Sequence, residues 1–169
     1  MKLLKNIVLL VFFGLFFGCL PAQVPKIPEV DWATEQNVSQ YESNILQCAV
    51  WLQQTPMTTM KNTRRDINNF VSQWSSANTT FHVQLFSDIV KFEEGDLLIS
   101  FIAGWCEYAI KTKDYDKLNC AMAGIDFALL IYANNKTTFR RNRQAEKLQK
   151  LKIKGKLREK ISKHLEKYE

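Results

Sequence analysis

The chain has few of the residues that interrupt helices and few of those that build common catalytic sites. Its 169 residues include 6 glycines, 4 prolines and 2 histidines. No low-complexity linker and no clear internal repeat divides the sequence, so we expect one compact domain. The scarcity of turn-forming residues favours an all-α fold.

Motifs that would name a chemistry are also missing. The sequence contains no HExxH, no GxSxG and no phosphate-cradling glycine loop. His82 and His164 lie in segments that we expect to be far apart, which argues against a zinc site. Glu93, Glu94 and Asp96 lack the alternating oxygen ligands and the glycine of a calcium loop. The sequence therefore predicts neither a metal nor another cofactor.

Two carboxylates are the remaining candidates for acid–base catalysis. Glu107 and Asp126 each interrupt a mostly apolar stretch, and a carboxylate whose pKa is raised by burial can act as a general acid. A carboxylate that faces solvent is only part of a polar helix face. We expect a non-catalytic protein; the alternative is a small hydrolase-like or ligand-carrying protein with a pocket in its helical body.

The N-terminus has the pattern of an export signal. Lys2 and Lys5 precede an almost unbroken apolar run at residues 7–17, which is shorter than the ~20 apolar residues of a membrane-spanning helix. We predict a signal peptide at residues 1–22, cleaved after Ala22. The mature protein is then expected in the periplasm, in the cell envelope or outside the cell.

Two other fates of this signal stay open. Cleavage before Cys19 would produce a lipoprotein, and an uncleaved segment would act as an anchor. Residues 23–33, with Pro25 and Pro28, are predicted to be an extended segment that leads into the folded domain. Residues 34–139 are predicted to form that helical domain.

Apolar residues recur at intervals of three and four through the body, which predicts helices. The predicted helices cover about 34–54, 58–74, 81–92, 96–111 and 118–134. A strand is the alternative for 81–92, and Arg64 falls on the apolar face of the second helix. Asp31 or Thr34 can cap the first helix, Thr58 or Thr59 the second, and Asp96 the fourth. The result is an all-α bundle of about five to six antiparallel helices.

The last two of these helices are predicted to form an antiparallel hairpin with a polar turn at 112–116. Small residues on both helices, among them Gly104 and Gly124, favour close packing over a ligand slot. Cys106 and Cys120 lie equally far from Lys113. In an exported protein they are candidates for a disulfide, whereas Cys48 is expected to be a buried apolar residue.

A sharp change in charge begins at Arg140. Residues 140–169 hold twelve Lys or Arg and four Glu, a net charge of +8. Residues 23–139 hold nine Lys or Arg and thirteen Asp or Glu, a net charge of −4. Leucine and isoleucine spacing predicts a basic amphipathic helix over 140–169, or two halves hinged at Gly155. Its candidate contact residues are Lys147, Lys150, Lys154, Arg158, Lys160 and Lys163.

Three interpretations of this basic region stay open. Its apolar stripe packs on the acidic body and leaves the lysines in solvent, or the lysines bind an anionic envelope surface, or they bind an acidic groove of a protein. Nucleic acid is not expected, because the region between Arg140 and Leu165 has no aromatic residues for stacking. Trp51 lies off the strict apolar stripe, and Trp32 lies in the proline-bearing entry segment, so both are further candidates for exposed contacts.

Two resemblances accompany these patterns. The predicted hairpin resembles a degenerate tetratricopeptide unit, a helix pair that binds peptides, at Gly104, Tyr108, Asp114, Tyr115 and Ala128. The whole layout is similar to exported helical proteins of unknown function from Bacteroidetes, through the signal, Thr55-Pro56, Arg64, residues 68–71, Trp74 and the lysine-rich C-terminus. This second resemblance implies a Gram-negative envelope and no particular activity. We therefore expect an exported interaction or envelope-associated module whose contact surface is the basic C-terminal helix.

Overall fold

The computed structural model describes residues 23–86, 89–139 and 141–167, and these residues form an all-α bundle without strands. The predicted signal peptide at 1–22, including Cys19, lies outside the described residues. A 3-10 helix at Val38–Tyr41 precedes six α-helices: α1 (Glu42–Gln54), α2 (Lys61–Ala77), α3 (Gly95–Thr112), α4 (Lys117–Asn134), α5 (Arg143–Ile153) and α6 (Leu157–Leu165). The predicted fold class is confirmed.

The first two helices begin later than predicted. The Asp31 carboxylate accepts hydrogen bonds from the Ala33 amide and the Thr34 hydroxyl, both at 3.1 Å, and so closes a separate turn before α1. The Thr59 hydroxyl donates to the Pro56 carbonyl at 2.9 Å and does not cap α2. In both places a local side-chain bond competes with the helix.

The predicted helix at 81–92 is wrong, since the described residues 81–86 and 89–92 contain no helix. The Asn78 Oδ1 accepts from the amides of Thr80 and Phe81 at 2.8 and 3.1 Å, which turns the chain out of α2 into a segment without regular structure. Phe81 and Phe86 are buried there as separate anchors rather than as one helical face. Helical spacing of apolar residues in this segment therefore did not correspond to a helix.

The hairpin of α3 and α4 is confirmed and forms the centre of the molecule. The Asp116 carboxylate caps α4 by accepting from the Asn119 amide at 2.8 Å. A Cβ added at Gly104 would lie 2.4 Å from the Phe127 Cβ, and one at Gly124 would lie 2.7 Å from the Phe101 carbonyl oxygen. The small residues thus allow close helix packing, as predicted.

The core extends from this hairpin to the earlier helices. α3 contacts α1, α2 and α4, and each of α1, α2 and α3 contributes a fully buried tryptophan, namely Trp51, Trp74 and Trp105. The Trp74 indole donates to the Val38 carbonyl at 2.9 Å, so its one polar atom is satisfied. The α3 helix is therefore covered on several sides by apolar side chains.

The basic C-terminal region consists of two helices rather than one. Gly155 separates α5 from α6 and has a φ of +66°, a left-handed conformation that glycine adopts readily. Both helices contact α4. Their apolar residues Leu148, Leu157, Ile161 and Leu165 are buried, which confirms that the apolar stripe docks on the body.

Candidate functional site

Docking of α5 leaves one row of basic side chains in solvent. Arg143, Lys147, Lys150 and Lys154 are all exposed, and their spacing of four, three and four residues places them on one face of the helix. We call these four residues the basic row. With Arg141, Glu146 and Leu151, they line a groove of about 340 Å³.

The lysines of the basic row have little opposing charge nearby. Glu146 is the acidic residue of α5, and the guanidinium of Arg141 binds both of its oxygens at 3.0 to 3.1 Å. This bond holds the pKa of Glu146 below its usual value. Lys147, Lys150 and Lys154 form no ion pair with any carboxylate of the described residues. The row is therefore a concentrated positive surface.

The predicted contact residues of α6 are exposed but are more engaged. Arg158 donates to the Asn119 Oδ1 at 2.8 Å, and the Lys163 ammonium pairs with Glu159 at 2.6 Å. The pKa of Lys163 is raised by this bond. Lys160 is exposed. The predicted contact residues on α5 are thus more available to a partner than those on α6.

An exposed isoleucine lies beside the basic row. Ile153 is 80% exposed, at the last position of α5 and directly before Lys154. A branched apolar side chain in this position has no packing role in the bundle. The sequence analysis missed it, although its position off the apolar stripe of α5 was a usable signal.

The prediction that Trp51 is an exposed contact is wrong. Trp51 is 1% exposed, and the guanidinium carbon of Arg64 lies 5.2 Å from the centre of its ring. Trp51 directly precedes Leu52 on α1, a helix that is covered on two sides, so a residue beside the strict apolar stripe is also buried. Trp32 is partly buried, and its indole donates to Gln73 at 3.1 Å.

The three cysteines of the described residues are buried free thiols. Burial raises the pKa of Cys48 to about 12 and that of Cys120 to about 11, and it also raises that of Cys106. The Cys120 thiol donates to the Asp114 carbonyl at 3.4 Å. Cys106 and Cys120 are free in this structure, so the predicted bridge is not formed in it, and Cys48 packs in the core as expected.

The two candidate catalytic carboxylates line one groove between α3 and α4. Glu107 pairs with Lys111 at 2.6 Å, and Asp126 pairs with Lys152 at 2.8 Å. Each candidate carboxylate is therefore engaged in an ion pair with a lysine. Among the described residues, no group of three or more His, Cys, Asp or Glu side chains is placed to hold a metal ion.

Comparisons with family models, with curated proteins and with solved structures find no match to this chain. Within residues 23–86, 89–139 and 141–167, no helix is both long enough and apolar enough to cross a membrane.

Proposed function

We propose that this chain is an exported, non-catalytic module that binds an anionic phospholipid surface through the basic row of α5. The observation that carries the proposal is the row of lysines without ion pairs beside the exposed Ile153. Lysines attract lipid headgroups, and a neighbouring apolar side chain can enter the boundary between headgroups and acyl chains. An acidic protein groove would gain less from an exposed isoleucine at the edge of the lysines.

The expected strength of this contact is modest. Each basic residue near an anionic membrane contributes about 1 kcal/mol, so the four residues of the row contribute roughly 4 kcal/mol, equivalent to an affinity on the order of 1 mM. Export through the signal at 1–22 would place the protein beside a membrane. Lipidation at Cys19, if that cleavage is used, would supply the second anchor that stable attachment requires.

The proposal is tested by cosedimentation with lipid vesicles. The protein would span Gln23 to Glu169, which includes every described residue. Vesicles of phosphatidylcholine alone are compared with vesicles that also contain phosphatidylglycerol. We expect binding to the anionic vesicles only, and weaker binding as salt rises from about 0.1 M, because salt screens exposed charges.

Charge reversal locates the surface. The triple variant Lys147→Glu, Lys150→Glu and Lys154→Glu is expected to lose about 3 kcal/mol, which is more than roughly a hundredfold in affinity, and therefore to show no detectable binding. The matched control reverses three exposed lysines elsewhere, Lys26, Lys61 and Lys91, and so has the same net charge. Equal loss in both variants would show an effect of net charge alone, and equal binding of the wild type to neutral vesicles would refute the proposal.

A further inference from the structure

A second surface feature is a cleft around a buried arginine. It opens between α2, the first turn of α3 and the turn that follows α4, with a volume of about 670 Å³. Its charged and polar lining includes Lys61, Arg64, Asn68, Glu94 and Asp96. Its apolar lining consists of Met57, Leu98, Ile99 and Phe139.

Arg64 is an unusual residue for this position. It is only 4% exposed, and its Nη2 donates to the Thr55 carbonyl at 2.6 Å. Its Nε is buried and has no hydrogen-bond partner, and Arg64 forms no ion pair with a carboxylate of the described residues. The Trp51 ring, 5.2 Å from the guanidinium carbon, compensates part of this burial, but the Nε proton remains without a hydrogen-bond partner. A buried charge with incomplete hydrogen bonds is costly, so an additional partner would be favoured.

The acidic residues of the cleft are already engaged elsewhere. The Asp96 carboxylate accepts from Asn68 at 2.7 Å, and the Glu94 carboxylate accepts from the Asn142 side chain. Glu94 is at the N-cap position of α3, but its side chain makes no cap hydrogen bond, and Asp96 lies in the first turn. The first amides of this 18-residue helix therefore lie at the cleft without a side-chain cap, although Asp96 offsets part of the helix dipole. The two carboxylates would still repel a doubly charged anion such as phosphate more than a singly charged one.

The lining therefore selects a ligand of particular chemistry. We infer that the cleft binds a small apolar carboxylate, either a free apolar amino acid or the C-terminal residue of a peptide. Arg64 is the partner of the carboxylate, since a guanidinium matches its two oxygens geometrically. Leu98, Ile99 and Phe139, all partly buried, supply the wall for the apolar group.

Ligand titration followed by NMR chemical shifts tests this inference. Leucine represents the free amino acid, and N-acetyl-leucine represents the peptide end. We expect one or both to bind the wild type with an affinity on the order of 1 mM and to shift amide signals of Gly95 and Thr138. Leucinamide, which lacks the carboxylate, is expected to cause no saturable shift. Binding of leucine alone would identify the free amino acid as the source, and binding of N-acetyl-leucine would identify the peptide end.

Two variants locate the ligand without disturbing the core. Thr137 and Thr138 are adjacent and exposed, but only Thr138 lines the cleft. Thr138→Glu is expected to weaken binding roughly fivefold through charge repulsion, whereas Thr137→Glu is expected to change it much less. Arg64→Lys should remove the selectivity for the carboxylate over the amide. The inference is overturned if neither acid binds, if leucinamide binds equally well, or if both threonine variants behave alike.

Discussion

The α3–α4 hairpin and the α5–α6 pair are built on different principles. The hairpin buries ten of the 18 residues of α3 and nine of the 18 residues of α4. The C-terminal pair buries only two of the 11 residues of α5 and three of the nine of α6. The hairpin is closely packed and should tolerate few substitutions. The C-terminal pair is attached to the body by a narrow row of buried apolar side chains, and the rest of its surface is charged.

Residues that determine stability and residues that determine binding therefore lie in different parts of one small domain. Residues of the hairpin touch one another at distances that leave no room for additional atoms, as at Gly104 and Phe127. Residues of the basic row touch few other residues and can be exchanged at little cost to the fold. Substitutions in the hairpin should therefore lower the free energy of unfolding, whereas substitutions in the basic row should weaken binding and leave that free energy nearly unchanged.

The largest effect is expected from a larger side chain inside the hairpin. Gly104→Val places a Cβ 2.4 Å from the Phe127 Cβ, so the helices must separate or Phe127 must move. We expect a loss of about 3 kcal/mol in the free energy of unfolding, measured by urea denaturation. Gly95→Val is the control, since nothing lies within 4 Å of a Cβ there. Equal denaturation midpoints for the two variants would contradict the close packing of α3 and α4.

An intermediate effect is expected from truncation of the docking stripe. Ile161 is fully buried on α6, while Ile153 is 80% exposed on α5, so the same change to alanine tests burial directly. We expect Ile161→Ala to cost about 2 kcal/mol and Ile153→Ala to cost less than about 0.5 kcal/mol.

Hydrogen exchange of the same two variants shows where the loss occurs. Because the C-terminal pair buries few residues, we expect Ile161→Ala to speed amide exchange in α5 and α6 while α3 and α4 stay protected. Uniformly faster exchange through all six helices would show that the pair unfolds together with the hairpin, and would remove the proposed separation of the two regions.

The sequence predicted the hairpin accurately because several signals agree there. The apolar periodicity of α3 and α4 is long, the polar turn is short, and Asp116 is a strong capping residue. The hinge at Gly155 was one of two alternatives, and its positive φ explains why the chain separates there. Where periodicity, turn and cap coincide, sequence and structure agree within two residues.

The sequence was misleading where one signal stood alone. Phe81, Leu85, Ile89 and Phe92 have helical spacing, but Leu85 is 52% exposed and Asn78 turns the chain before Phe81. The cleft could not be predicted, because its lining comes from three separate parts of the chain. Arg64 nevertheless fell on the apolar face of its predicted helix, and a charged residue at such a position was the available signal.

The smallest effect is expected at the turn that joins the two hairpin helices. The Asp114 carboxylate accepts from the Asp116 amide at 2.9 Å, from the Tyr108 hydroxyl at 2.7 Å and from the Asn119 side chain at 2.8 Å. These bonds lower its pKa from the usual value of 3.8. Charged Asp114 therefore stabilises the fold above that value, and the contribution is lost as pH falls through the lower pKa of the folded state.

Asp114→Asn should reduce stability near neutral pH, because asparagine has one acceptor oxygen in place of two. The difference from the wild type should shrink as pH falls below the usual carboxylate pKa of 3.8, where Asp114 of the unfolded state takes up a proton, and it should be smallest below the lowered pKa of the folded state, where the native Asp114 is protonated too. Urea denaturation over a range of pH measures this directly, with Asp66→Asn on the exposed face of α2 as the control. A difference that stays constant with pH would mean that Asp114 acts through its shape rather than through its charge.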